Sequence, residues 1–226
     1  LQRSTESYKN LIVSENNELK VIKPFGPTIA RVKMPNELIK NLNDYVDEII
    51  SDEDKSKKLD HGSKLAGSVT QEFKLEKEFI DSSGYKSFLS KSVIEWLKIS
   101  GYGKVKEFEI ISSWIVRQFK NEYNPIHWHG GHVSGVGYLK VPDSFGETPQ
   151  PLTNKSNKNG NLELVYGSRQ FLSDSSFSIT PEVGYFYFFP HYMMHAVYPF
   201  TGTDEERRSI SFNAMIDEKS FYVYGN

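Results

Sequence analysis

The 226-residue chain contains no cysteine. Disulfides, thiolate zinc sites, iron–sulfur clusters and cysteine nucleophiles are excluded together, so any bound metal must be held through nitrogen or oxygen. Neither sign of charge dominates: 27 Lys+Arg stand against 29 Asp+Glu, a formal net charge of -2. Nothing advertises a basic face, and no nucleic-acid partner is expected. The lysines of 54–58 (DKSKK) are interleaved with acids and read as a solvated loop. No apolar run approaches the roughly 18 residues of a membrane span, and no signal-type h-region opens the sequence. No membrane association and a cytoplasmic location are therefore the expectation.

Hydrophobic residues at 38% and charged residues at 25% instead describe a folded chain with a core. Aromatics at 14%, with 15 Phe and 13 Tyr, bias it toward strands. The apolar stretch 19–22 and the strand-like 28–32 come first. A helix opening at Pro35 follows, with Leu38, Leu42, Tyr45, Val46, Ile49 and Ile50 on one face at spacings of three and four. Residues 51–67 read as a polar loop. A second helix spans about 85–99, with Phe88, Leu89, Val93, Ile94 and Leu97 inward, and stops at Gly101. Beyond it lie β-branched and aromatic runs at 107–119, 135–141, 161–166, 176–180, 185–189, 207–216 and 221–224, separated by Gly, Pro, Asn and Ser. The polar segment 142–160 suits a lid or binding loop, or else disorder. The expectation is one domain over 1–226: N-terminal strands and supporting helices over 1–105, then a β-sandwich or barrel over 106–226.

Five of the six histidines fall between 127 and 195, and three of them in IHWHGGH at 126–132. In an extended segment, residues two apart share a face, so His127 and His129 can hold one metal while Gly130-Gly131 turns the chain away. A third ligand must come from elsewhere, and His195, after the aromatic strand and its Pro190 turn, is the candidate. His132 and His191 read as ordinary structural histidines. Trp128, between the two ligands, should then face away from the metal into the interior or the helices. Three neutral nitrogens with open positions suit iron(II), zinc or copper. In RRSISFN at 207–213, Arg207, Ser209, Ser211 and Asn213 alternate with Arg208, Ile210 and Phe212. A guanidinium followed by a hydroxyl on an inward face is a clamp for a carboxylate.

These motifs follow in order: HxH, SGVGYL at 134–139, GNLEL at 160–164, PxxG at 181–184 with FFP at 188–190, HxVxP at 195–199, and RxSISFN. The series resembles the 2-oxoglutarate- and iron(II)-dependent oxygenases, and is similar to an uncharacterised bacterial- and phage-type group with the signature HxH…SGVYYL…FP…H…P…RxSISFN. The resemblance covers roughly 114–213. It implies a mainly β (α+β) fold: a double-stranded β-helix (jelly-roll) core with the N-terminal helices packed on one sheet. It implies a dioxygenase acting as a hydroxylase, with Fe(II) on His127, His129 and His195, 2-oxoglutarate as cosubstrate, and O2. It further implies that Arg207, assisted by Ser209, binds the distal carboxylate of 2-oxoglutarate, and that the Tyr138 phenol reaches the same group.

One position departs from the superfamily. His129 stands where most members carry Asp or Glu; either it is the ligand, or Glu163 or Asp143 supplies a carboxylate. Two competing readings are a cupin-type dioxygenase or isomerase, which would normally carry a glutamate within 130–135, and a non-catalytic jelly-roll binding module. The substrate, a small molecule or a peptide in which a prolyl or other amino-acid residue is oxidised, is expected to contact 51–67 and 142–160.

Overall fold

The computed structural model describes residues 26–62, 65–102, 105–147 and 157–221. Its ten strands form two antiparallel sheets. The larger has the order β1-β8-β5-β10-β3-β2 and the smaller β4-β9-β6-β7. In chain order the strands are β1 (Ala30–Lys33), β2 (Gln71–Lys74), β3 (Phe108–Gln118), β4 (Asn124–His127), β5 (Val133–Lys140), β6 (Leu162–Val165), β7 (Ser176–Ile179), β8 (Tyr185–Pro190), β9 (Met194–Val197) and β10 (Arg207–Ile216). The helices are α1 (Asn36–Ser51), α2 (Glu53–Leu59), α3 (Lys77–Ser82), α4 (Tyr85–Ile99) and α5 (Glu218–Phe221). This is the jelly roll with supporting helices that the motifs imply.

The large sheet is covered on both faces, and alternation along its strands sorts the side chains. Ile210, Phe212, Ala214, Phe186, Phe188 and Ile115 join Leu38, Leu42, Val46 and Ile49 of α1 and Tyr85, Leu89 and Val93 of α4 in one core. Tyr138, Val136, Tyr187 and Phe189 point the other way and meet Leu162, Leu164 and Ile179 of the small sheet. Burying each large side chain contributes about 1.5–3 kcal/mol, so both layers are held chiefly by apolar contact. The glycines of SGVGYL serve the helix side. A Cβ at Gly137 would lie 2.3 Å from the Phe186 ring, and one at Gly135 2.6 Å from the Tyr187 carbonyl oxygen. Their bare backbones let Phe186 lie on the sheet, where it meets Phe88 edge-on at 5.7 Å between centroids.

Several local expectations change. The 51–67 loop contains α2, because Asp52 accepts a hydrogen bond from Lys55 N at 3.0 Å and caps a helix. Ile50 and Ile94 are exposed rather than inward, while Trp96 is buried. β2, α3 and β4 are too short to carry a periodic signal. Phe221 closes a helical turn rather than opening a strand. The remainder of 221–224, the apolar stretch 19–22 and residues 148–156 of the long polar segment lie outside the described residues.

α1 is also tied to the sheet by charge. Arg208, 3% exposed, donates to Glu206 Oε1 at 2.7 Å, to Asp47 Oδ1 at 2.8 Å and to Asn43 Oδ1 at 2.9 Å. Arg117 Nε donates to the same Glu206 Oε1 at 2.7 Å. Burial alone would raise the Glu206 pKa, but the hydrogen bonds from Arg208 and Arg117 outweigh it and hold the carboxyl below its ordinary value. A carboxyl whose folded pKa is depressed stabilises the fold above its unfolded pKa and ceases to as pH falls through the folded one. Glu206→Gln should therefore cost about 3–5 kcal/mol at pH 7, the scale of breaking a buried pair. Denaturant unfolding should show the difference from wild type narrowing below about pH 4.5.

Candidate active site

The small sheet supplies the histidines. In β9, His195 is opposed to Leu164 on one side and to His127 of β4 on the other. Directly opposed residues share a face, so both imidazoles point between the sheets with Leu164. His129 arrives differently. β4 ends at His127, so the alternation expected for an extended HxH does not extend to His129. Instead, His129 N donates to His191 O at 3.1 Å, while His191 Nδ1 donates to His129 O at 3.1 Å. Gly131, at φ 93°, then turns the chain into β5. Trp128, expected inside, is 65% exposed, because the strand ends before it.

The three rings converge. Ligating nitrogens of His127, His129 and His195 all lie within 4.8 Å of one another, and His129 Nε2 faces His195 Nε2 at 3.1 Å. His127 Nδ1 bonds Pro125 O at 2.7 Å and His195 Nδ1 bonds Met193 O at 2.8 Å. A carbonyl only accepts, so Nδ1 carries the proton and each Nε2 lone pair is left toward the centre. Burial pushes the His129 pKa down to about 3, helped by His195, His127 and His191. The His195 pKa falls to about 4, again by burial first and then His127. Both rings are thus neutral, the form a metal needs. Trp114 meets His129 edge-on at 5.4 Å, and Phe189 lies 5.2 Å from His195.

Neither proposed carboxylate joins them. Glu163 alternates with the inward Leu162 and Leu164, and bonds Lys158 Nζ at 2.8 Å on the outer face. Asp143 is exposed beyond β5. Among the described residues, the only group of three or more metal-ligating side chains is the histidine triad.

The large sheet supplies the second half. Arg207 is 1% exposed, with its guanidinium 5.0 Å from the centre of the Tyr138 ring. Arg207 Nη1 donates to Gln118 Oε1 at 3.1 Å, and Gln118 Nε2 is itself held by Glu122 O and Tyr198 O. Arg207 Nε and the Tyr138 hydroxyl have no hydrogen-bond partner among the described residues. Burial lowers the Arg207 pKa and raises that of Tyr138 to about 12, so the phenol is neutral. Ser209 is buried opposite Tyr138. Glu206 contacts Arg208, not Arg207, so the deep arginine faces the barrel without an acid. Gln118 and Trp114 went unnoticed in the sequence; both lie on the Arg207 side of β3, but nothing in their spacing says what they touch.

Two facing sheets with inward imidazoles and a buried arginine give a jelly roll whose three histidines could hold a metal. Residues 112–213 match a 2OG-Fe(II) oxygenase family, a segment containing the triad, Tyr138, Arg207 and Ser209. Over that segment, somewhat under half of its length, the chain is similar to the 2OG-Fe(II) oxygenases. Three solved structures share the fold. A Pseudomonas putida prolyl-4-hydroxylase is 15% identical, with TM-score 0.52 over 82% of this chain and 91% of that one. The collagen prolyl hydroxylase of Paramecium bursaria Chlorella virus-1, solved with 2OG, is 14% identical, with TM-score 0.50 over 82% and 94%. The alpha-ketoglutarate-dependent epimerase SnoN of nogalamycin biosynthesis is 14% identical, with TM-score 0.54 over 83% and 77%. No curated protein matched the sequence.

An unpartnered buried hydroxyl is a liability until something bonds it. Tyr138→Phe should therefore leave the ligand-free protein as stable as wild type or about 1 kcal/mol more stable. A fall in melting temperature would show the hydroxyl already satisfied.

Proposed function

We propose that the chain is a hydroxylase in which His127, His129 and His195 hold the iron(II), and Arg207, Ser209 and Tyr138 bind 2-oxoglutarate. The fit is chemical. Three neutral imidazole nitrogens form a nitrogen-only donor set that leaves positions open, as iron(II) oxygen chemistry requires. The carrying observation is the pair of buried donors, Arg207 Nε and Tyr138 Oη, that have no partner among the described residues and point into the same barrel interior as that set. An unpaired buried guanidinium is costly, and a carboxylate between these atoms removes the cost. A cupin or a non-catalytic jelly roll gives no reason for such an arginine.

Bound iron(II) with 2-oxoglutarate activates O2 and couples oxidative decarboxylation, to succinate and CO2, with oxidation of the substrate. The chain's own contribution is placement. Arg207 and Gln118 fix the distal carboxylate, Tyr138 donates to it, and Ser209 adds a hydroxyl. The Nδ1 bonds of His127 and His195 aim Nε2 inward, and Trp114 and Phe189 keep water from the rings. A free or peptide-borne amino-acid residue, prolyl or other, is the substrate class put forward, with no nucleic-acid partner and a cytoplasmic setting.

Metal analysis after anaerobic iron loading should find one iron per chain in wild type and little in His195→Ala; full occupancy of that variant would remove His195 from the site. Calorimetric titration separates the arginines. Arg207→Lys keeps the charge but loses the fork, and should weaken 2-oxoglutarate by about 1–3 kcal/mol. Arg208→Lys should leave that affinity unchanged while lowering the melting temperature, because Arg208 is bound to Glu206 and Asp47. Exchanged phenotypes would overturn the assignment of Arg207.

A further inference from the structure

Glu72 carries a second unexplained charge. The residue is 1% exposed, yet among the described residues neither carboxylate oxygen has a hydrogen-bond partner. Register shows which way it points. Glu72 is opposed to Val116, Val116 to Ser209, and Ser209 to Tyr138. Opposed residues share a face, and Tyr138 belongs to the barrel interior, so Glu72 does too. The row thus runs from Tyr138 through Ser209 and Val116 to the β2 edge, and strand spacing puts Glu72 roughly 10 Å from Ser209. Trp114, which touches His129, stands two residues from Val116 along β3.

Gly62 lies between two carboxylates. The point where a Cβ would sit on it is 3.4 Å from Asp60 Oδ1, which accepts from Gly62 N at 3.0 Å, and 3.8 Å from Glu72 Oε2. Both acids therefore border the same side-chain-free position. Asp60 is exposed and Gly62 half-exposed, so the space communicates with the surface. Burial, partly offset by the Asn124 side chain and reinforced by the charges of Asp60 and Glu122, raises the Glu72 pKa to about 7. Glu122 is already engaged, accepting from Thr70 N and Phe119 N. A divalent metal is a poor occupant: among the described residues no third ligand gathers with these two. A single positive charge with several N–H donors fits both the field and the vacant acceptors.

We propose that Glu72 and Asp60 form the subsite for a protonated amine of the primary substrate, at the opposite end of the interior row from the 2-oxoglutarate pocket. This rests on the oxygenase reading and narrows its substrate to amine-bearing molecules, free or as a lysine-like side chain in a peptide.

The test uses protein loaded anaerobically with iron(II) and 2-oxoglutarate, titrated calorimetrically with cadaverine, L-lysine amide and their N-acetylated forms. The amines should bind at least tenfold more tightly than the acetylated forms. Glu72→Gln should lose at least tenfold for the amines with iron and 2-oxoglutarate binding unchanged; Glu72→Asp, which keeps the charge, should fall between. Equal binding of acetylated probes, equal affinity in Glu72→Gln, or no amine binding overturns the subsite. Failure of wild type to take up iron or 2-oxoglutarate would instead count against the oxygenase reading.

Stability gives an independent readout. A carboxyl with a raised folded pKa loses stabilisation as pH rises from its unfolded value near 4.5 to about 7. Glu72→Gln should therefore melt higher than wild type at pH 8 and lose that advantage near pH 5. A lower melting temperature at pH 8 would make the carboxylate structural and end the proposal.

Discussion

A strand lying between two covered layers must send alternate side chains into different chemistry, and β10 is the strand on which this chain depends. It is bonded to β3 and β5 along almost its whole length, and all but Ser211 and Met215 of its residues are buried. Its even-numbered residues from Arg208 onward belong to the helix layer: Ile210, Phe212 and Ala214 fill the apolar core, and Arg208 completes a charged lattice with Glu206, Arg117 and Asp47. Its odd-numbered residues, Arg207 and Ser209, belong to the barrel. A slip of one residue would put the helix layer's arginine into the pocket and its phenylalanines against the metal side, so apolar burial and site geometry enforce the same register.

The two adjacent arginines show how environment, not residue type, divides roles. Arg208 is surrounded by acceptors, and its charge is neutralised where it sits. Arg207 has one amide acceptor and an aromatic face, and no carboxylate among the described residues pairs with it. Keeping an unpaired guanidinium buried is costly, and the cost is tolerable because the surrounding apolar layers are large. Glu72 repeats the pattern with the opposite sign at the other end of the same row. The interior thus holds a buried arginine and a buried carboxyl, each with atoms that have no hydrogen-bond partner among the described residues.

The metal histidines illustrate a different economy. His127 and His195 are set by ladder pairing in the small sheet, whereas His129 hangs from backbone hydrogen bonds to His191 in the β8–β9 turn. That exchange does for His129 what a strand would have done. It also explains why Trp128 is free to face solvent: the chain has left the sheet.

Much of this was legible in the residues. The clustered histidines, the absence of cysteine and the order of short motifs pointed to nitrogen donors and to a likeness to the 2OG-Fe(II) oxygenases, because ligand chemistry is a property of side chains. Alternation in RRSISFN separated Arg207 from Arg208, because a period of two is imposed on any strand by its backbone. Spacing did not reveal that His129 lies beyond its strand, that Gln118 and Trp114 touch Arg207 and His129, or that 51–67 holds a helix. Nothing near Glu72 marked it at all. Those facts depend on which strands become neighbours, and pairing across tens of residues is decided by burying two faces of one sheet at once, which only the tertiary structure does.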